Sequence, residues 1–303
     1  MPKENTHILL VNSIIGSLDC GEIKTLLQAN YESICFGSIV ADTFFYSSNK
    51  DVVNISEELH GKEGEKTNEL IFDMLDHARL HKSHNILCLS MGYISHCVFD
   101  MTFHPVIYYL TGNYYDKDTT RSEQAVYRHR LIETKLDNDI NNKYYLDKIL
   151  DGNNKIVHEI LEIIGVKYNI TNGDLVKAYK KQIRINKCFR SGFIYKLIYL
   201  LNKLKILDYK NILPLFYPHL QTDEIIIDEI VNYCDILSGQ KTQRKLSDLL
   251  KAVEDESIKR INAAYAYYND TIDRACAMQI IRGESLDTGE EGCSVHKVIC
   301  SKY

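Results

Sequence analysis

Apolar residues recur at spacings of three and four along most of this chain, the pattern of a helix with one packed face. Over residues 7–27 it predicts a helix that ends or is interrupted near 16–21, with a second short helical turn at 22–28. Residues 66–89 form the next helix, with Leu70, Ile71, Met74, Leu75 and Ala78 as its apolar stripe. Leu131, Ile132 and Leu136 mark another, introduced by a turn-rich loop at 112–120 and capped from Asp118 to Ser122. A polar bridge at 137–154 contains a short helix. Periodicity then resumes over 156–164, 174–184, 193–207, 223–237 and a long run at 243–281, and residues 283–303 read as a loose tail. With only four Pro and 15 Gly there are few breakers, so the expected class is all-α, a multi-helix bundle. Residues 1–140 are expected to form its core, and the helices of 141–282 to cover the core's outer faces within the same domain.

Composition narrows this only a little. A chain of 303 residues suits one large domain or two smaller ones, and a net charge of −5 argues against nucleic-acid binding by bulk electrostatics, although a local basic groove escapes that count. Nine Cys without a CxxC spacing offer no disulfide framework and are expected as reduced thiols in a cytoplasmic protein, most of them small core residues. The opening MPKENTHILLVNSIIGSLDCG has an apolar run broken by Asn12 and no small-residue cleavage site, so it is expected to be mature sequence. No stretch holds the roughly 18 uninterrupted apolar residues of a membrane span. Residues 192–207, GFIYKLIYLLNKLKIL, have two readings: a core helix whose lysines reach out to solvent, which is preferred, or a helix lying on a lipid surface in peripheral membrane contact.

Candidate chemistry gathers in GYISHCVFDMTFHP. His96 and Asp100, four apart, share one face of a helix and could grip a single metal ion. His104 lies roughly 12 Å from His96 along a helix axis, and Pro105 should push it out of helical geometry, so it suits a second ion. His129 and Glu133 repeat the four-residue spacing. So do His158 with Glu162 and His219 with Asp223, which leaves any one pair open to being an ordinary surface pair. Eight of the 11 His precede residue 130. Upstream stand His7 in THILL, Asp42 in FGSIVADTFFYS and His60 in EELHGK. Burying the Asp42 carboxylate among such neighbours is costly without an ion, a hydrogen bond or a capping role. His60 by itself reads as a loop or helix-end histidine. His77, His81 and His84 make a rival cluster, but DHARLHKSH reads more easily as a solvated face.

Taken in order, His7, Asp42, His60, His96, Asp100, His104, His129 and Glu133, with the phrases GSIVAD, GYISHCVFD and HP, resemble the zinc-dependent phospholipase C family, whose fold and three-metal site the S1/P1-type nucleases share. The resemblance covers about residues 1–140. It implies a metal cluster between helices of the N-terminal half, with up to three zinc ions. The first would be held by His60, His96 and Asp100, the second by His104, His129 and Glu133, and the third by His7 and Asp42, with Asp42 bridging to the first. The Pro2 amine would join the third if Met1 is removed. Mixed imidazole and carboxylate ligation suits zinc and leaves other divalent metals such as iron or manganese open. The implied activity is hydrolysis of a phospholipid or another phosphodiester by metal-activated water, with Asp42 as candidate general base. Two alternatives stand beside it. One is a nuclease or nucleotidase on the same scaffold, disfavoured by the acidic balance and the lack of Trp; the other is a non-catalytic helical protein stabilised by metal.

Overall fold

The computed structural model describes residues 3–19, 21–140, 144–150, 155–206, 208–221 and 228–303. In chain order its helices are α1 (Glu4–Ser17), α2 (Glu22–Ala29), α3 (Tyr31–Gly37), α4 (Val40–Thr43), α5 (Lys50–Leu59), α6 (Glu69–His81) and α7 (His84–Thr111), then α8 (Thr119–Ile140), α9 (Leu146–Ile149), α10 (Lys155–Tyr168), α11 (Asn172–Phe189), α12 (Gly192–Lys203), α13 (Leu246–Tyr268) and α14 (Arg274–Ile280). The all-α expectation holds, with one small exception: β1 (Ile230–Cys234) and β2 (Lys241–Lys245) pair as an antiparallel hairpin.

Helix α7 is the axis of the bundle, and α1, α3, α6, α8, α10 and α13 pack around it. It is the one described helix long and apolar enough to cross a membrane, with a mean hydropathy of 1.4 in its most apolar stretch, but 89% of that stretch is buried inside the protein. It is a core helix. Two glycines set how closely α3 can approach it. A Cβ on Gly37 would collide with the Leu89 carbonyl, and one on Gly92 with that of Ile34, so the two backbones meet with no side chain between them. This contact delivers Ser38 and Asp42 to the middle of α7. Gly92→Ala is therefore expected to force the helices apart at a cost of about 3 kcal/mol, measured by urea unfolding. Unchanged stability would show that the pair can separate freely.

Several expectations are corrected here. The helix of 66–89 is two helices: Lys82 adopts a left-handed conformation at φ 52°, and Ser83 then caps α7 by accepting a bond from the Ile86 N–H. Pro105 does not end α7, which runs on to Thr111. The proline lacks the N–H that would reach the Met101 carbonyl, and the helices packed around α7 carry it past the gap. Part of the 223–237 helix is strand β1, because Ile230 and Val231 favour a strand and the Asp235–Gln240 turn returns the chain to β2; residues 222–227 lie outside the described residues. The 243–281 run divides into β2, α13 and α14, with Asp273 capping the last through the Cys276 N–H.

The tail is not loose. Leu286 N–H donates to the His60 carbonyl (2.8 Å), Val295 to that of Lys62 (3.0 Å) and Lys302 to that of Tyr109 (2.8 Å). Arg260 of α13 grips Glu284 with two nitrogens at 2.8 and 3.1 Å, and both side chains are buried. Backbone bonds and an ion pair do here what apolar periodicity does elsewhere, which is why the pattern of 283–303 gives no sign of it. The eight described cysteines are all free; Cys35, Cys88, Cys97 and Cys293 are buried and Cys276 is exposed. Helix α12 contradicts the core-helix preference, since none of its residues is fully buried.

Candidate metal centre

Each candidate side chain is set in place by its own element. Near the start of α1, Thr6 donates to Asp137 of α8 (2.7 Å) and Asn5 to the Tyr217 hydroxyl (2.7 Å), which anchors the helix and turns His7 towards α7. Asp42 lies in α4, and His60 caps the C-terminal end of α5, where its Nδ1 meets the Ser56 carbonyl at 2.6 Å. His96, Asp100 and His104 stand on successive turns of α7, and the His96 Nδ1 meets the Ser38 carbonyl at 3.0 Å. His129 and Glu133 come from α8. With Nδ1 of His60 and His96 held against carbonyls, each ring turns its Nε2 to the interior, the nitrogen a metal ion would meet.

These eight residues converge. Asp42, His60, His96 and Asp100 form one buried group able to hold an ion, and His104, His129 and Glu133 form a second. Asp100 stands at the centre: its Oδ2 is 3.3 Å from His96 Nε2 and 3.6 Å from the Nε2 of both His60 and His104, and its Oδ1 is 3.5 Å from His7 Nε2. Asp42 Oδ1 is 3.2 Å from His60 Nε2, and Glu133 Oε1 is 2.8 Å from His129 Nε2 and 4.0 Å from His104 Nε2. Because α7 stays helical through Pro105, His104 adjoins Asp100 as well as Glu133, and the two groups touch. Asp42 sits in the first group with His60, and His7 stacks on the His96 ring at 4.4 Å between centroids. Pro2 lies outside the described residues.

The electrostatics are those of a site made for cations. Burial alone would raise the Asp100 carboxyl, yet His104, His96, His60 and His7 hold it well below the usual carboxylate range. Burial would lower the His60 imidazole, but contact with Asp100 and Asp42 raises it to about 10, so a proton takes the place of a cation there. Burial pushes His96 and His129 down to about 4, so both rings are neutral at pH 7. At His96 and His129, a neutral imidazole beside an ionised carboxylate is the protonation state of a metal ligand. The hydrogen-bond pattern agrees. Neither oxygen of Asp42 or Asp100, nor the Nε2 of His60 or His96, nor either ring nitrogen of His7 makes a hydrogen bond of good geometry with a described residue, although all are buried. Leaving so many polar atoms unpaired would cost several kcal/mol unless an ion satisfies them.

One wall of the centre opens into a cleft of about 380 Å³. His60, His104, His129 and Glu133 reach it, and Phe45, Tyr46, Tyr114, Tyr115 and Phe189 give it aromatic walls. Lys3 and Arg130 are the lysine and arginine on the described wall, and burial lowers the Lys3 ammonium to about 8. Asp42, the expected base, has no place on that wall. The residue missed in the sequence is Asp287. Its Oδ1 lies 3.3 Å from His104 Nδ1 and accepts a bond from the Tyr108 hydroxyl at 3.2 Å, and the next residue back, Leu286, holds the His60 carbonyl. The SLDTG turn around it is an ordinary polar turn in sequence. The rival histidines form no candidate metal group among the described residues: His81 and His84 are exposed, and the His77 and His81 rings lie 4.3 Å apart on the surface of α6. His158 is exposed, His219 bonds Tyr127 and Tyr195 instead of a metal group, and the Glu162 side chain and Asp223 lie outside the described residues.

None of the curated proteins and none of the solved structures compared with the chain matches it. A family model does, described as zinc dependent phospholipase C, over residues 6–185. That span is more than half of the chain and contains all eight converging residues, and it stops short of Asp287. The chain belongs to the zinc-dependent phospholipase C family.

Proposed function

We propose that the protein hydrolyses phosphodiester bonds in the manner of a phospholipase C, with divalent cations, most naturally zinc, held at the floor of the cleft. The observation that carries this reading is the pair of adjoining buried histidine and carboxylate groups beside one cleft, with ligand atoms of His7, Asp42, His60, His96 and Asp100 left without a hydrogen bond of good geometry. Asp42, His60, His96 and Asp100 would hold one cation, and His104, His129 and Glu133 a second. His7 stands beside Asp100 to serve a third. Bound there, the cations supply an activated water for attack on phosphorus and neutralise charge on the phosphoryl oxygens.

The remaining work falls to the chain's own side chains. Asp287 faces the Nδ1 of His104 and so fixes the ring with Nε2 towards Glu133, while the Tyr108 hydroxyl steadies the Asp287 carboxylate. Lys3 and Arg130 place positive charge on the cleft wall where a phosphate would approach, and the aromatic side chains exclude water from it. Asp42, buried beneath His60, acts on this reading as a carboxylate of the cation cluster, orienting water only through it.

Elemental analysis of the purified protein, followed by assays on a phosphorylcholine ester, a lysophospholipid and single-stranded DNA with and without chelator, tests the reading. At least two zinc ions per chain are expected, with turnover of a phospholipid-type ester that chelation abolishes and zinc restores. Metal without turnover of any phosphodiester would leave only a structural role, and cleavage confined to DNA would transfer the site to nuclease chemistry.

A further inference from the structure

Helix α12 is the most exposed apolar element of the described chain. Phe193 is 78% exposed, Leu197 47%, Leu200 50% and Leu204 58%, and their spacings of four, three and four place them in one stripe. Lys196 and Lys203 border that stripe along one edge, Lys205 follows, and no Asp or Glu occurs from Gly192 to residue 207, with Asp208 and Lys210 just beyond. Exposed apolar stripes of this extent on a soluble protein mark an interaction surface. The opposite side of the helix is firmly seated: the Tyr195 hydroxyl bonds His219 Nδ1 (3.1 Å), and His219 Nε2 bonds the Tyr127 hydroxyl (2.8 Å) on α8, two residues before His129. The helix itself lies near the cleft, because Phe189, just before α12, and Leu215, in the segment on which α12 packs, both line it.

We infer that α12 docks the protein on the anionic surface of a lipid bilayer, with its apolar stripe among the acyl chains and its lysines at the headgroups, so that the cleft opens beside the membrane. This rests on the phospholipase C-like reading for its purpose, not for its physics. Charge decides the occupant. A second copy seated on the same face would bring two rows of lysine together with no acid on either helix to neutralise them, whereas anionic headgroups do so directly. The net charge of −5 makes the local excess of lysine more telling, since the chain as a whole is repelled by such a surface.

Sedimentation with vesicles of phosphatidylcholine containing about 30% phosphatidylserine, as against phosphatidylcholine alone, tests the inference with the full chain. Wild type is expected to bind the anionic vesicles preferentially. Changing Phe193→Ser with Leu200→Ser, or Lys196→Gln with Lys203→Gln, should weaken that binding by roughly tenfold or more. Both doubles change exposed side chains, and both should hydrolyse a water-soluble phosphorylcholine ester at the wild-type rate while losing activity on vesicles. Equal binding by wild type and variants, no binding at all, or a dimer that F193S with L200S dissolves would each overturn it. Absence of soluble-ester hydrolysis in wild type would instead sink the catalytic reading and leave the vesicle result standing.

Discussion

Asp100→Asn is expected to strip the protein of most of its bound zinc and to lower phosphodiester hydrolysis by about a thousandfold. The side chain hardly changes in size, so packing survives, but the carboxylate that four imidazoles share becomes a neutral amide. Asp100 faces His7 through one oxygen and His60, His96 and His104 through the other, so a single change reaches both groups of the centre. An amide also brings an N–H₂ donor to rings that should offer lone pairs to a cation. Zinc per chain, measured beside activity and a circular dichroism spectrum, separates the outcomes. A folded variant with full zinc content and full activity would show that Asp100 is no part of the centre.

Removal of the metal is expected to be nearly as severe for the fold itself. A cation present at about a thousand times its dissociation constant stabilises the folded state by roughly 4 kcal/mol, and here two groups of ligands are buried against α7. Chelation returns Asp42 and Asp100 to a buried site in which the His60 imidazole, raised to about 10 by contact with both carboxylates, carries the compensating proton. Thermal unfolding with and without chelator should show a fall of several degrees, reversed by zinc and not by magnesium, because imidazole-rich ligation suits the former. An unchanged midpoint would mean that the metal contributes nothing to the core.

Much of the centre was legible in residue spacing and order. His96 with Asp100 and His129 with Glu133 stand on one helical face each, and the helix is so regular a structure that a spacing of four predicts proximity. The same rule applied to His77 and His81 found two rings that do meet, but on the surface of α6, outside either candidate metal group found among the described residues. Spacing says which side chains share a face and not which way that face points. His7 and His60 carried little local signal of their own and Asp42 only its apolar neighbours, and their order along the chain suggested that they belong together. Asp287 carried none at all: it reaches His104 because Glu284 is clasped by Arg260 and Leu286 bonds the His60 carbonyl, contacts across more than 20 residues in one case and more than 200 in the other.

By itself the sequence determined the helical class, several of the helices, and the residue types that a zinc centre requires, because these follow from local periodicity and from the chemistry of single side chains. Only the tertiary structure decided that α7 continues through Pro105, that the polar C-terminal segment closes over the centre, and that α12 lies outside the core. Each of those depends on what packs against the segment: neighbouring helices can hold a proline in line, an ion pair and backbone bonds can fix a segment with no apolar stripe, and an apolar stripe stays exposed when no partner element lies over it.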